Sequence, residues 1–175
     1  MKLFYLFPLL LLRLLPGCYS LKGISIDPRV KTFSIRTFET QALNAPPTLA
    51  IDFTERLKDK MRSETQMQLR VIDSELEPSE IRVEFTGKIV DFRVVPVAPR
   101  PGELVALNQL VIVVQVTAEN RTDTEEKIEW PKEKNFSHFA EFSSQTDLQS
   151  VQDQLVRQIG DQLLEDIFNH FFNNW

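Results

Sequence analysis

The sequence has very few of the residues that build disulfides, metal sites and phosphate-binding loops. Its 175 residues include one cysteine, two histidines and five glycines. A single cysteine excludes an intrachain disulfide, so the stability of the fold must come from its hydrophobic core. His138 and His170 lie far apart in the sequence, and a zinc site would need carboxylates brought to them by folding. There is no glycine-rich phosphate loop and no Gly-x-Ser-x-Gly nucleophile elbow.

Basic charge is also in short supply. The chain has 20 basic and 25 acidic side chains, a formal net charge of −5, and residues 1–17 contain two basic residues and no acidic one. An acidic surface does not suggest nucleic acid as a partner, or an anchor that works by basic attraction to anionic lipid. We therefore predict neither an enzyme nor a nucleic-acid-binding protein, and we interpret each histidine as a partly exposed polar residue.

The N-terminus has the layout of a signal sequence. Lys2 precedes an uncharged run over residues 3–12, which is too short for a permanent membrane span but suits a signal-peptide core. Gly17 and then Cys18 follow, and this layout resembles a bacterial lipoprotein signal. The resemblance implies a cut before Cys18 and a diacylglycerol and a fatty acyl chain on its thiol, which anchor the protein to a membrane. The alternative is an ordinary secretory signal that happens to end near a cysteine.

Two helices are predicted from apolar stripes with helical spacing. Leu49, Phe53, Leu57 and Met61 predict a helix over residues 49–64 that begins after two prolines. A longer C-terminal stripe consists of Leu148, Val151, Leu155, Ile159, Leu163, Ile167 and Phe171. Thr146 precedes this second stripe with capping-box spacing. Gly160 lies within it and indicates a close approach to the sheet.

Strands are predicted from alternating or continuous apolar residues. The segments are residues 30–38, 67–71, 81–94, 106–120 and 128–142. A change of phase after Gly87 predicts a bulge within residues 87–90. Five consecutive aliphatic residues, 110–114, predict a strand covered on both faces. Residues 96–103 contain three prolines and are expected to form a stiff connection that does not pair as a central strand.

The order of these elements, β-α-β-β-β-β-α, predicts an α+β fold. We expect a two-layer sandwich with a largely antiparallel sheet of four to five strands and two helices packed on one face. The predicted organisation is a signal peptide over residues 1–17, a lipidated N-terminus and short tether over residues 18–29, and one domain over residues 30–175.

Short sequence motifs spread along the chain resemble those of a known family. They include Asn-Ala-Pro-Pro-Thr-Leu (residues 44–49), Pro-Val-Ala-Pro (96–99), Ala-Leu-Asn-Gln-Leu (106–110), Phe-Ala-Glu-Phe (139–142) and Asp-Ile-Phe-Asn (166–169). Together with Gly-Cys-Tyr-Ser at residues 17–20, they occur in the order found in the LptE family of lipopolysaccharide-assembly lipoproteins, in its Bacteroidetes-type form. The sequence resembles that family nearly from end to end.

The resemblance implies an outer-membrane lipoprotein that binds an LptD-like β-barrel, assists its assembly and helps deliver lipopolysaccharide to the cell surface. It implies that the domain faces the periplasm or the barrel lumen. The family has no catalytic motif that could be carried over to this sequence. Because the surface is acidic, a contact with lipopolysaccharide would need a local basic cluster, and Arg93 with Arg100 is the nearest candidate. Val97 lies in the stiff connection and is a candidate contact to the barrel. The alternative is a scaffold or pilot lipoprotein of another outer-membrane secretion complex.

Overall fold

A computed structural model describes residues 30–70, 81–98, 106–120 and 133–172 of the chain. The strands are β1 (Val30–Ile35), β2 (Glu39–Thr40), β3 (Gln68–Leu69), β4 (Ile81–Val97), β5 (Leu107–Asn120) and β6 (Glu133–Ser143). The helices in this part of the chain are α1 (Leu49–Glu64) and α2 (Leu148–Phe172). The predicted α+β class, the bounds of the first helix and the packing of both helices on one face of the sheet are confirmed.

The sheet is mixed and not purely antiparallel, because its long β4–β5 and β5–β6 pairs are antiparallel but its other pairs are parallel, and it has six strands instead of the predicted four to five. Its order is β3-β1-β4-β5-β6, with β2 paired to β4 beyond the end of β1. β1 runs parallel to both β3 and β4, and β2 is also parallel to β4. Parallel neighbours need a crossover, and α1 supplies it between β1 and β3. Alternation along each strand cannot reveal this, because it has the same period in parallel and antiparallel pairs.

The segment predicted as one strand over residues 30–38 is divided into β1 and β2. Phe38 lies between them and packs on Gly87 of β4, where an added Cβ would overlap the phenyl ring. The predicted bulge is confirmed, since the β4–β5 register shifts between Ile89 and Asp91. Pro96 extends β4 and is paired with Asn108. It is tolerated there because, within the described residues, β4 has a strand neighbour on one side only at that height.

The core lies between the helices and one face of the sheet. α1 buries Leu49, Phe53, Leu57 and Met61 as predicted. Thr54 is also buried, and its hydroxyl is satisfied there because it donates to the Ala50 carbonyl and accepts from the Phe38 amide. α2 buries Leu155, Ile159, Leu163, Ile167 and Phe171, whereas Leu148 and Val151 are half-buried. Its N-cap is Asp147, not the predicted Thr146: the Asp147 carboxylate accepts from the Gln149 amide at 3.3 Å.

The central strand β5 is covered on one face only. Its alternate residues from Leu110 to Ala118 are buried under the helices, but Val111 and Val113 point to the opposite face and are half-buried. The prediction that residues 110–114 are covered on both faces is therefore wrong. A strand of five consecutive aliphatic residues can instead have one apolar side in the core and one at a partly open surface.

The domain has two distinct ends. We call the end where β1 and β4 begin, at Val30 and Ile81, the base; β5 and α2 finish there. We call the opposite end the hairpin end. There β4 ends opposite the start of β5, with Val97 paired to Leu107, and β6 ends at Ser143. Both helices run from the hairpin side toward the base.

Candidate functional site

Exposed apolar side chains gather on the hairpin side of the described structure. The large ones are Leu43, Ile51, Val94 and Phe139, with exposed fractions of 100%, 55%, 41% and 50%. Leu43 follows Ala42, whose amide donates to the Ile89 carbonyl at the bulge of β4. Val94 lies beyond that bulge on the helix side of the sheet, and Phe139 lies on the opposite face. These side chains are thus exposed on different parts of the surface, on both faces of the sheet, on a loop and on α1.

The face of the sheet opposite the helices carries an apolar strip at this end. Phe139 of β6 pairs with Val111 of β5, which pairs in turn with Arg93 of β4. Polar pairs flank the strip: the Gln109 amide donates to the Glu141 carboxylate at 3.0 Å. Phe139 and Val111 therefore lie on this face between the Gln109–Glu141 pair and the row of Ser137, Val113 and Asp91.

The three contact residues predicted from the sequence, Arg93, Val97 and Arg100, differ in exposure and in whether the structure describes them. Arg93 is exposed on the outer face of β4, and its guanidinium forms an ion pair with the Asp91 carboxylate. Val97 is half-buried at the last pair of the β4–β5 hairpin, opposite Leu107. Arg100 lies outside the described residues, as does Cys18. Because Asp91 neutralises part of its charge, Arg93 is a weaker candidate for a phosphate contact than its sequence suggests.

The two histidines do not converge on one site. The Nε2 atom of His138 lies 2.6 Å from the Asp166 carboxylate, and the Nδ1 atom of His170 lies 3.3 Å from the Lys134 Nζ. Both contacts connect β6 to α2. Burial lowers the pKa of His170, and the nearby Lys134 ammonium lowers it further. Both rings are half-buried, as the sequence predicted, and no cluster of three metal-ligating side chains occurs within the described ranges.

The helices meet in parallel, along a row of charged contacts. The Arg56 Nη2 atom lies 2.5 Å from the Asp161 carboxylate, and the Lys60 Nζ atom lies 2.6 Å from that of Glu165. The same offset in sequence joins both pairs, so α1 and α2 run side by side in one direction. Gly160 packs under the Arg56 guanidinium, so the predicted close approach to the sheet is wrong: the neighbour is the other helix.

A polar cluster near the base was missed by the sequence analysis. Thr32, Ser34, Arg82 and Glu84 are buried on the sheet face opposite the helices, and Glu84 forms an ion pair with Arg36. The Ser34 hydroxyl is buried and has no hydrogen-bond partner among the residues that the structure describes. Alternation along β1 and β4 separates the two faces of the sheet but does not tell which of them is covered.

A groove of about 580 Å³ opens beside the first turns of the two helices, where Leu49 and Val156 are flanked by the side chains of Asp52, Glu55, Arg56, Asp153 and Arg157. The acidic and basic groups largely balance, so the groove does not select a ligand of one charge. Separately, neither helix in the described part of the chain is long and apolar enough to cross a membrane.

Comparisons with known proteins place the chain in a family. It is similar to solved structures of a minor lipoprotein from Acinetobacter baumannii (14% identity, 82% of this chain and 92% of that chain, TM-score 0.47). It is also similar to the rare lipoprotein B from Shewanella oneidensis, with 10% identity over 78% of this chain and 93% of that chain and a TM-score of 0.41. A third is the PelC dodecamer from Paraburkholderia phytofirmans, with 12% identity over 80% of this chain and 92% of that chain and a TM-score of 0.41. No curated protein sequence matches this chain.

The family model described as LptE, lipopolysaccharide-assembly, matches residues 30–171, which span the first strand through the last helix of the described fold. The resemblance noted in the sequence is thereby confirmed, and the chain belongs to the LptE family of lipopolysaccharide-assembly proteins.

Proposed function

We propose that this protein is a lipid-anchored lipoprotein of the outer membrane that binds an LptD-type β-barrel through its hairpin end. In this role it assists assembly of the barrel and delivery of lipopolysaccharide to the cell surface. Residues 1–17 would be removed as a signal peptide. Cys18 would carry a diacylglycerol and a fatty acyl chain, and the domain would face the periplasm or the lumen of the barrel.

The observation that carries the proposal is the concentration of exposed apolar side chains at one end. Val94 and Phe139 are exposed toward the hairpin end on the two faces of the sheet, and Leu43 is exposed on a loop beside the middle of β4. A surface that meets a partner on one side only would need one such patch. A domain end that enters a concave partner would be contacted from several sides, as a barrel lumen would do.

The position of the tether is compatible with this orientation. Val30 pairs with Ile81 at the base, so residues 18–29 join the domain at the end opposite the hairpin. Residues 19–29 span at most about 40 Å when fully extended. β4 has 17 residues and is about 55 Å long at the usual rise per residue. A tether of this reach would let the lipid on Cys18 stay in the membrane while the hairpin end enters the barrel from the periplasmic side and the base faces the periplasm.

The β4–β5 connection is the proposed point of contact. Its prolines limit backbone freedom, so ordering it on binding costs less entropy than ordering a glycine-rich loop. Photo-crosslinkers placed at Val97 and Arg100 in living cells should capture the barrel. The matched control is Asp59, which is exposed on α1 and paired only with Arg62 at 3.2 Å among the contacts described here. Capture by Asp59 alone would make the helix layer the docking face.

The tether is tested separately. Cys18→Ser removes the thiol that lipidation needs, so the variant should remain unprocessed or become soluble and should no longer incorporate radiolabelled fatty acid. Labelling equal to that of the unaltered protein would refute the lipoprotein assignment. Capture of a different outer-membrane channel by the Val97 and Arg100 crosslinkers would instead support a pilot role in another secretion complex.

A further inference from the structure

The two edges of the sheet are built very differently. The edge strand β3 has two residues, whereas the edge strand β6 has eleven and pairs with β5 over its whole length without a register shift. Folded proteins normally protect an edge with a short strand, a proline, a bulge or charges, because an open edge offers unpaired N–H and C=O groups to other chains. The central residues 135–140 of β6 have none of these protections. Within the described residues, no strand lies beyond β6.

The direction of the free backbone groups follows from one hydrogen bond. The Ser144 amide donates to the Ala106 carbonyl at 3.0 Å, which sets the phase of the antiparallel β5–β6 ladder. Residues alternate along such a ladder between those that bond to the neighbour and those that point away. The N–H and C=O groups of Ser137, Phe139 and Glu141 therefore point to the open edge. The side chains of the same residues lie on the outer face of the sheet, and all three are exposed.

The outer-face side chains along this edge define what would pair with it. Phe139 is half exposed, while Glu133 and Glu141 each accept a hydrogen bond from a glutamine of β5, at 3.3 and 3.0 Å. Directly opposite residues on neighbouring strands are favourable when apolar faces apolar and when opposite charges meet. A fitting strand would carry an apolar residue opposite Phe139 and basic residues opposite the two glutamates.

A second copy of this chain does not fit the edge well. α2 lies over β6, with Asp166 at 2.6 Å from His138 and His170 at 3.3 Å from Lys134. Two paired β6 strands would be about 4.8 Å apart, but packed helices need axes about 8–10 Å apart. Pairing two copies would crowd their α2 helices. A single strand without a helix above it meets no such conflict.

We propose that the free edge of β6 accepts an extended strand of a partner polypeptide, which continues the sheet next to Phe139. The outward N–H groups of Ser137, Phe139 and Glu141 would donate to the added strand and their C=O groups would accept from it. The two glutamates select a strand with basic residues. This edge shares Phe139 with the exposed residues of the hairpin end but is distinct from the β4–β5 connection, and the proposal does not depend on which barrel that connection meets.

Amide hydrogen exchange, measured residue by residue on the full-length protein in detergent micelles, tests the proposal. The probe is a synthetic peptide of the length of β6, with lysine opposite Glu133 and Glu141 and isoleucine opposite Phe139 in antiparallel register. At about ten times its Kd, the peptide should slow exchange at Ser137, Phe139 and Glu141 by about tenfold. The inward amides of His138 and Ala140 should change little. No slowing of the outward amides at about millimolar peptide would overturn the proposal.

Two controls separate edge pairing from general contact. The same peptide, N-methylated at the amides that face β6, cannot donate to the edge and should lose its effect. In the protein, Ser137→Pro removes an outward N–H but none of the N–H groups that bond to β5, and it should abolish binding, whereas Ser137→Ala should retain it. Equal binding by the two variants would overturn the proposal. If Ser137→Pro fails to fold by circular dichroism, the N-methylated peptide on the unaltered protein decides.

The other possible occupant of the β6 edge is a second copy of this chain, and the oligomeric state tests for it. Sedimentation of the full-length protein without peptide should show no dimer that depends on Ser137. A dimer that forms as the protein concentration rises, and that is lost in Ser137→Pro, would assign the edge to a second copy and overturn the proposal of a partner strand. Failure of the Val97 and Arg100 crosslinkers would leave the exchange result unchanged, so the two proposals fail independently.

Discussion

The base and the hairpin end of this domain share one sheet but differ in how it is covered. Near the base, the helix side of β4 packs Phe85 against Phe171 with ring centroids 5.4 Å apart, and the opposite face buries Ser34 and Glu84. On the hairpin side, Val94 and Phe139 are exposed on the two faces. The base is therefore covered on both faces of the sheet, whereas apolar surface available for binding is exposed toward the hairpin end.

The same division explains why α2 changes character along its length. Its first apolar residues, Leu148 and Val151, are half-buried, whereas those from Leu155 onward are buried. The helix is thus held by its C-terminal two-thirds. Contacts at the other end can be altered or exchanged for a partner at small cost to the stability of the fold.

The largest expected effect comes from a charge in the buried part of α2. Ile159 is fully buried, so Ile159→Asp would place an unpaired carboxylate in the core and cost several kcal/mol of the ~5–15 kcal/mol that holds a domain together. The variant should fail to accumulate. The matched change at the hairpin end, Val94→Asp, should alter the free energy of unfolding by less than about 1 kcal/mol. Chemical denaturation measures both, and equal losses would remove the contrast between the two ends.

An intermediate effect is expected from the two glycines that have close neighbours. Gly87→Ala would drive a methyl group into the Phe38 ring and should cost about 1–3 kcal/mol of unfolding free energy. Gly160→Ala meets only the end of the flexible Arg56 side chain, and the gain in helix propensity, about 0.5–1 kcal/mol, should offset the displacement. Thermal melts of the two variants compare them. A larger loss for Gly160→Ala would mean that the helix contact is rigid.

The smallest effect concerns pH. His170 packs against Phe136 and Phe171 near the base, and its pKa is below the ordinary value because burial and Lys134 disfavour the imidazolium. The unfolded chain therefore binds this proton more readily than the folded one. The contribution of His170 is fully present above about pH 6.5 and is lost as the pH falls through the lower pKa of the folded state.

The test compares the melting temperature at about pH 7.5 and at about pH 5.5 for the unaltered protein and for His170→Gln, which cannot charge. The unaltered protein should lose more stability between these two pH values than the variant does. Identical pH dependence in the two proteins would show that His170 does not titrate differently on folding.

Local periodicity was sufficient for both helices, for most of the strands and for much of the core. The four-residue spacing from Leu49 to Met61 predicted α1 over residues 49–64, and the stripe from Leu155 to Phe171 predicted the buried side of α2. The phase change after Gly87 located the bulge of β4. These features depend on neighbours within a few turns or pairs along one element, which is the range over which side-chain spacing carries information.

Pairing direction and coverage were decided only when the elements came together. No spacing in β1 indicates that it lies parallel to β4, and none in α2 indicates that Gly160 meets Arg56 of the other helix. Glu84, which is buried, and Phe139, which is half exposed, show that spacing along one strand also does not determine burial. Alternation could show neither that Glu84 is buried nor that Phe139 of an edge strand stays half exposed. A residue's own sequence neighbours set the direction of its side chain, but only distant segments determine whether anything lies in front of it.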